Sequence, residues 1–349
     1  MNHKLLFILI LPILGLGCIN VKTSVSTEGG VWQSSDAGET WASTSLIPTE
    51  DGVASFGSAD ISVITFDAAD DDAVYAGTTE KGLLFSYDNG ASWQRPGDAK
   101  VLEGRVYGVA VDPRNKCTIY TAIGSRVMKS TDCNRTYDTE TFVEANGKAI
   151  RAIELDWYSP DMVWTVTAGG DVMKSINGGD SWTTVTRVGD NVMDMMIDNA
   201  DSRIVIVATE DDGVWRTVDG GATWSELADA IDDYRSAEVG YALAQNSDGS
   251  MMYYASKYGL LRSTDHGATW TGLTLLTAAG SVRIYSLAVD PNDGNVVYYG
   301  TNNTFYSTTD GGDNWATNLL PTDRAATVIT IDPDDSSTIF LGVARVEKD

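Results

Sequence analysis

The chain has 349 residues and a formal net charge of −25, from 24 Lys and Arg against 49 Asp and Glu. Such a surface repels phosphate backbones, which excludes nucleic acid as a main partner. Length alone would allow two or three domains. With three cysteines and only His3 and His266 there is little material for a zinc site.

The first element is the stretch MNHKLLFILILPILGLG. Lys4 precedes an apolar run of 12 residues, Leu5 to Leu16. A spanning helix needs about 20, and Pro12 weakens the run further. Residues 1–17 therefore read as a secretory signal. Cys18 follows, and LGLGC resembles a bacterial lipoprotein signal, which implies a lipid on Cys18. Ordinary secretion with Cys18 unmodified is the alternative. Residues 18–29 read as a tether. The expected location is outside the cytoplasm: lipid-anchored to the cell envelope, or secreted or periplasmic.

From residue 30 the chain repeats one phrase, Ser/Thr-x-Asp-x-Gly-x-x-Trp. It stands as SSDAGETW from Ser34, SYDNGASW from Ser86, STDCNRTY from Ser130 and SINGGDSW from Ser175. TVDGGATW from Thr217, STDHGATW from Ser263 and TTDGGDNW from Thr308 complete it. The third and eighth positions are Asp36 and Trp41, Asp88 and Trp93, Asp132 and Tyr137, Asn177 and Trp182, Asp219 and Trp224, Asp265 and Trp270, and Asp310 and Trp315. Successive third positions lie 52, 44, 45, 42, 46 and 45 residues apart, a period that points to propeller blades. The Asp is expected to close a turn by accepting backbone N–H groups two residues on. The Gly supplies a positive φ, with Asn134 as substitute in one repeat. The Trp buries beneath the turn, so the octet reads as a structural staple rather than a ligand site.

Each octet belongs to a unit of four short strands separated by turn residues, an antiparallel all-β pattern. Residues 284–315 show it: an apolar run ending Asp-Pro, a turn, VVYYGT, the octet, then a last strand. The chain opens at Gly30 with the second half of a unit and closes from Val328 with the first half. Six whole units and one joined from both ends predict a single domain over 30–349: an all-β, seven-bladed propeller with four-stranded antiparallel blades. A blade built from both termini leaves no open sheet edge.

Cys117 opens the second strand of its unit and Cys133 lies in the turn ending the third. Antiparallel neighbours bring the two to one edge, where a disulfide is expected in an exported protein; two separate thiols are the alternative. Acidic turns follow the first strands, as in DAADDD from Asp67 and DPDD from Asp332. They read as a solvated rim. Calcium would suit such oxygen-rich turns, although none has EF-hand spacing, and no other cofactor or metal is implied.

Aligning the inner strands on Asp67, Asp112, Asp156, Asp198, Asn246, Asp290 and Asp332 assigns their faces by alternation. Residues one and three before the anchor should pack between blades. Those two before, mostly Thr, Ala or Met, should face a narrow central channel. Glu154 and Asp194 break that rule, are expected near the face opposite the octets, and are weak catalytic candidates, since paired carboxylates serve glycoside hydrolysis. Tyr107, Arg151, Tyr241 and Tyr285 stand five before their anchors, at the rim of the same face, and are candidates for binding. Two long loops, Ala42–Asp60 and the acidic stretch from Ser225, are expected to enter that face.

The octets resemble Asp-box, or bacterial neuraminidase, repeats. The resemblance covers nearly all of the chain after the signal. Sialidases, xyloglucan-degrading glycosidases, sortilin-type receptor propellers and photosystem II assembly-factor propellers are written in a similar way. It implies the fold; on function it implies several things that disagree. Sialidases carry an Arg-Ile-Pro signature, and the nearest string here is Arg283-Ile284-Tyr285. The xyloglucan enzymes resemble two rings facing across a cleft, where this chain has one. The assembly factors use a basic patch, against the acidic balance here. Two readings follow. One is a non-catalytic, monomeric propeller, held to a membrane by an N-terminal lipid, that binds a protein or glycan at the envelope. The other is a glycoside hydrolase using Glu154 and Asp194.

Overall fold

The computed structural model describes residues 26–137, 139–189 and 191–347. The signal sequence, Cys18 and most of the tether lie outside the described residues. Seven radial sheets form the ring. Blade 1 uses Ile61–Asp67, Asp70–Thr78 and Leu83–Ser86; blades 2 to 6 each carry four strands, beginning at Val106, Ile150, Val192, Gly240 and Ser286. Blade 7 pairs Ala325–Ile331 and Ile339–Ala344 with Gly30–Ser34 and Ala42–Ser43, so the ends of the chain share a sheet as the half-units require.

The core is divided the same way. Seven clusters of buried apolar side chains are present, one at each junction between neighbouring blades. Residues three before the anchors, such as Ile64, Val109, Ile153 and Met195, are buried in them. Burial between blades, rather than within one, is why a single repeat could not fold alone.

The octet is a staple, by a different set of bonds from the expected one. Asp219 Oδ1 accepts the backbone N–H of Thr223, four residues on, at 2.9 Å, while Oδ2 accepts its hydroxyl at 2.6 Å. The leading Thr217 hydroxyl donates to Asp219 Oδ1 and accepts the N–H of Gly221 at 3.0 Å. The other octets repeat the backbone bond, with Ser, Thr or Asn at the seventh position, while in the Asn177 octet the side-chain bond reverses, Asn177 Nδ2 donating to the Ser181 hydroxyl. Positive φ occurs at the fourth position as well as the fifth: Cys133 at 58° and Asn134 at 66°, His266 at 59° and Gly267 at 75°. Two successive left-handed residues reverse the chain tightly enough to place the acceptor under both donors. At the fifth position glycine is also a matter of space, since a Cβ on Gly90 would stand 2.4 Å from the Phe340 ring. Cys117 and Cys133 are joined as a disulfide.

A further feature recurs in the inner strands. In six blades the pairing between first and second strands slips by one residue, five before the anchor, leaving Ser62, Tyr107, Arg151, Met193, Tyr241 and Thr327 unpaired. A bulge of this kind re-aims one side chain away from the strict alternation of a strand.

Candidate functional site

The two faces of the ring are identified by their turns. The octet turns meet the turns that end the inner strands: His266 Nδ1 lies 2.9 Å from Asp198 Oδ2, and Asn89 Nδ2 donates to Asp332 Oδ2 at 2.6 Å. Inner strands therefore run toward the octet face, and their bulges open at the opposite mouth. Tyr107, Arg151 and Tyr241 occupy bulges of neighbouring or nearby blades, and Tyr285 stands one residue before its inner strand.

Arginines close over these tyrosines. The Arg283 guanidinium carbon lies 4.6 Å from the Tyr241 ring centre and 5.5 Å from that of Tyr285. Arg105 and Arg151 stand 5.1 and 5.7 Å from Tyr107. Each contact contributes about 0.5–1 kcal/mol at an exposed site, enough to order a rim of flat, cationic surface. Arg151 also donates to Asn191 Oδ1 at 3.3 Å. Beside this rim a cavity of about 980 Å³ is lined by Arg283, Tyr285, Asn302 and Asn303, among others. Neither Arg105 nor Arg283 was expected at the mouth from the sequence, where Arg283 entered only in the string Arg283-Ile284-Tyr285; both lie two residues before a rim tyrosine, outside the inner strand that alternation could read. The loop from Ser225 contains a one-turn helix, Ala228–Ile231, and the Ala42–Asp60 loop contains a hairpin of Leu46–Thr49 with Gly52–Ser55.

Glu154 and Asp194 face the channel at different depths. Asp194 is the third residue of Val192–Ile197, whereas Glu154 is the next-to-last of Ile150–Leu155 and so lies toward the octet face. Its expected place at the mouth is corrected by the direction of the strand. Both residues are half-buried. Burial, with the Asp194 charge added, pushes the Glu154 carboxyl up to about 8. Burial pushes Asp194 up to about 6, against the backbone N–H groups of Leu243 and Met195, which donate to it at 2.8 Å each. Glu154 meets no hydrogen-bond donor among the described residues. At its level Ala110, Met196 and Ala288 are buried, whereas Glu154 itself, Thr65, Ala244 and Thr330 remain half-buried. Among the described residues no group of three or more His, Cys, Asp or Glu is arranged to hold a metal ion.

The chain matches no protein-family model. It is similar to a xyloglucanase of Paenibacillus sp., 29% identical over 198 residues, which amounts to 42% of this chain and 19% of that protein. The chain thus spans about a fifth of the matched enzyme's length. Among solved structures it superposes on the GH74 xyloglucanase of Xanthomonas campestris with a TM-score of 0.66 at 17% identity, covering 87% of this chain and 52% of the other. It superposes on YCF48 bound to D1 peptide with a TM-score of 0.63 at 14% identity, covering 87% and 96%. At such identities the superpositions establish the seven-bladed ring and no more.

Proposed function

We propose that the ring is a non-catalytic binding module that holds an extended segment of a protein or glycan partner across the mouth opposite the octets, at the cell envelope. The observation that carries the reading is the repeated bulge, which presents Tyr107, Arg151 and Tyr241 at one rim, with Tyr285 beside them and arginines stacked on the tyrosines. Aromatic and Arg side chains are the residues that anchor interfaces at low entropic cost. YCF48, a ring of similar extent, has been solved with a peptide bound, which supports peptide as one partner class. The test is capture from envelope extract with the mature chain immobilised through its N-terminus. A partner should be retained by the intact ring and lost when Tyr107, Tyr241 and Tyr285 are changed to Ala. Retention by both would refute the mouth as the site.

Glycoside hydrolysis is the second reading. It is favoured by the raised Glu154 carboxyl and by the similarity to a xyloglucanase. Against it stand the backbone donors that occupy Asp194 and the different depths at which the two carboxyl groups lie along their strands. Release of reducing ends from xyloglucan, abolished by Glu154→Gln, would establish the enzyme and displace the first reading.

A further inference from the structure

A second cavity, of about 590 Å³, lies on the octet side between blades 1 and 2, away from the mouth. Three departures from the repeat meet there. Blade 1 has lost its outer strand, of which only the Phe85–Gln94 bridge remains, so that Tyr87 stays 43% exposed. The chain after Gln94 crosses to blade 2, where Gly97 N–H donates to Asn134 O at 3.1 Å and Asp98 Oδ2 accepts the N–H of Tyr137 at 2.9 Å. That crossing sets Arg95 beside the one octet that has Asn for Gly and Tyr for Trp. In that octet the Tyr137 hydroxyl donates to Asn134 Oδ1 at 2.6 Å, and Asn134 Nδ2 donates to the Tyr87 hydroxyl at 3.3 Å. The substituted residues thus fix the exposed ring. Departures from an otherwise self-consistent repeat are expected where a site has been built.

The charge of the cavity is opposite to that of the chain. Its lining holds Arg95, Lys116 and Arg135 against Asp70 alone. Lys116 pairs with Asp70 at 2.7 Å. Arg95 and Arg135 have no acidic partner among the described residues. Two guanidinium groups without an acidic partner among the described residues, in a molecule of net charge −25, suit a carboxylate that the rest of the surface would repel. The Tyr87 face beside them offers a platform for a sugar ring, and the volume suits a ligand of one or two rings.

We propose that this cavity binds an acidic saccharide, its carboxylate between Arg95 and Arg135 and its ring against Tyr87. Binding of a uronic-acid disaccharide to the mature chain is measured by calorimetry, beside its methyl ester and inorganic phosphate. The expected result is binding of the acid at least tenfold tighter than the ester, weakening with salt. It should fall at least tenfold in Arg95→Gln/Arg135→Gln and in Tyr87→Ala, and stay unchanged in the Tyr107/Tyr241/Tyr285-to-Ala protein. Circular dichroism of each variant establishes that the fold is kept. No binding of the acid, equal binding of its ester, equal binding of phosphate, or loss with the mouth tyrosines instead would each overturn the proposal. So would an acidic peptide that outcompetes the sugar.

Discussion

Glu154 is a charge that the folded state holds back. Its carboxyl is pushed up to about 8 from an ordinary value of 4.5. Between those values the unfolded chain ionises this group while the folded ring keeps it protonated. Its contribution therefore favours folding at low pH and is lost as pH rises through the window, staying constant above it. Glu154→Gln removes the titration. The melting temperature of the variant should gain on the unmodified protein from pH 5 to pH 8, with little gap near pH 4. Parallel curves would mean that Glu154 is ionised and hydrated in the channel. The octet acids behave in the opposite sense: hydrogen bonds from Thr223 first, then Thr217, hold Asp219 down to about 2, so its contribution is lost only as pH falls below the usual carboxylate range. The octet's residues were legible because their chemistry is local, with donors and acceptor within seven positions. The second positive φ was not, since Ala37, Asn89, Cys133 and His266 bear no common side-chain signal.

At the scale of the element, strand order and blade boundaries followed from alternation and turns. The bulges did not, because one extra residue leaves the apolar pattern on either side intact. Its trace is the placement of Tyr107, Arg151 and Tyr241 at a single offset. The missing outer strand of blade 1 was hidden by an intact octet before it. Pro96, two residues after the last bridge, lacks the N–H a further ladder bond would need. Blade 2 beside it has a covalent link instead. The Cys117–Cys133 disulfide closes a separation of 16 residues, for which chain entropy gives about 3 kcal/mol. Cys117→Ser/Cys133→Ser should lower the unfolding free energy in denaturant by roughly that amount, with the slope little changed. A variant as stable as the unmodified protein would show that blade 2 is already held by its own pairing.

For the whole molecule, closure is the decisive event, and a buried cation lies at the seam. Arg324, in the connection entering blade 7, donates from Nη1 to Asp60 Oδ1 at 2.6 Å and Ala59 O at 3.2 Å, and from Nε to Thr27 O at 3.3 Å. It ties the start of the described chain, the hairpin loop and the last blade together. Arg324→Met leaves Asp60 paired with Arg345 but strips the Ala59 and Thr27 carbonyls of a donor, and should cost about 1–3 kcal/mol, read as a drop in melting temperature. The seam was legible as topology, from the two half-units, but not as a residue: Arg324 meets partners some 265 and 297 positions away, beyond any local pattern. The charge of the ring likewise hid the arginine-stacked mouth, because net charge averages over both faces.

The face itself is the central claim, and a photo-crosslinking amino acid tests it in the living cell. It would replace Met193 and Val282 beside the mouth, leaving the tyrosines intact, and Ile176 and Val218, exposed in octets of the other face. We expect adducts with one partner from Met193 and Val282 and none from Ile176 or Val218. Adducts confined to Ile176 and Val218 would contradict the account and place binding on the octet face.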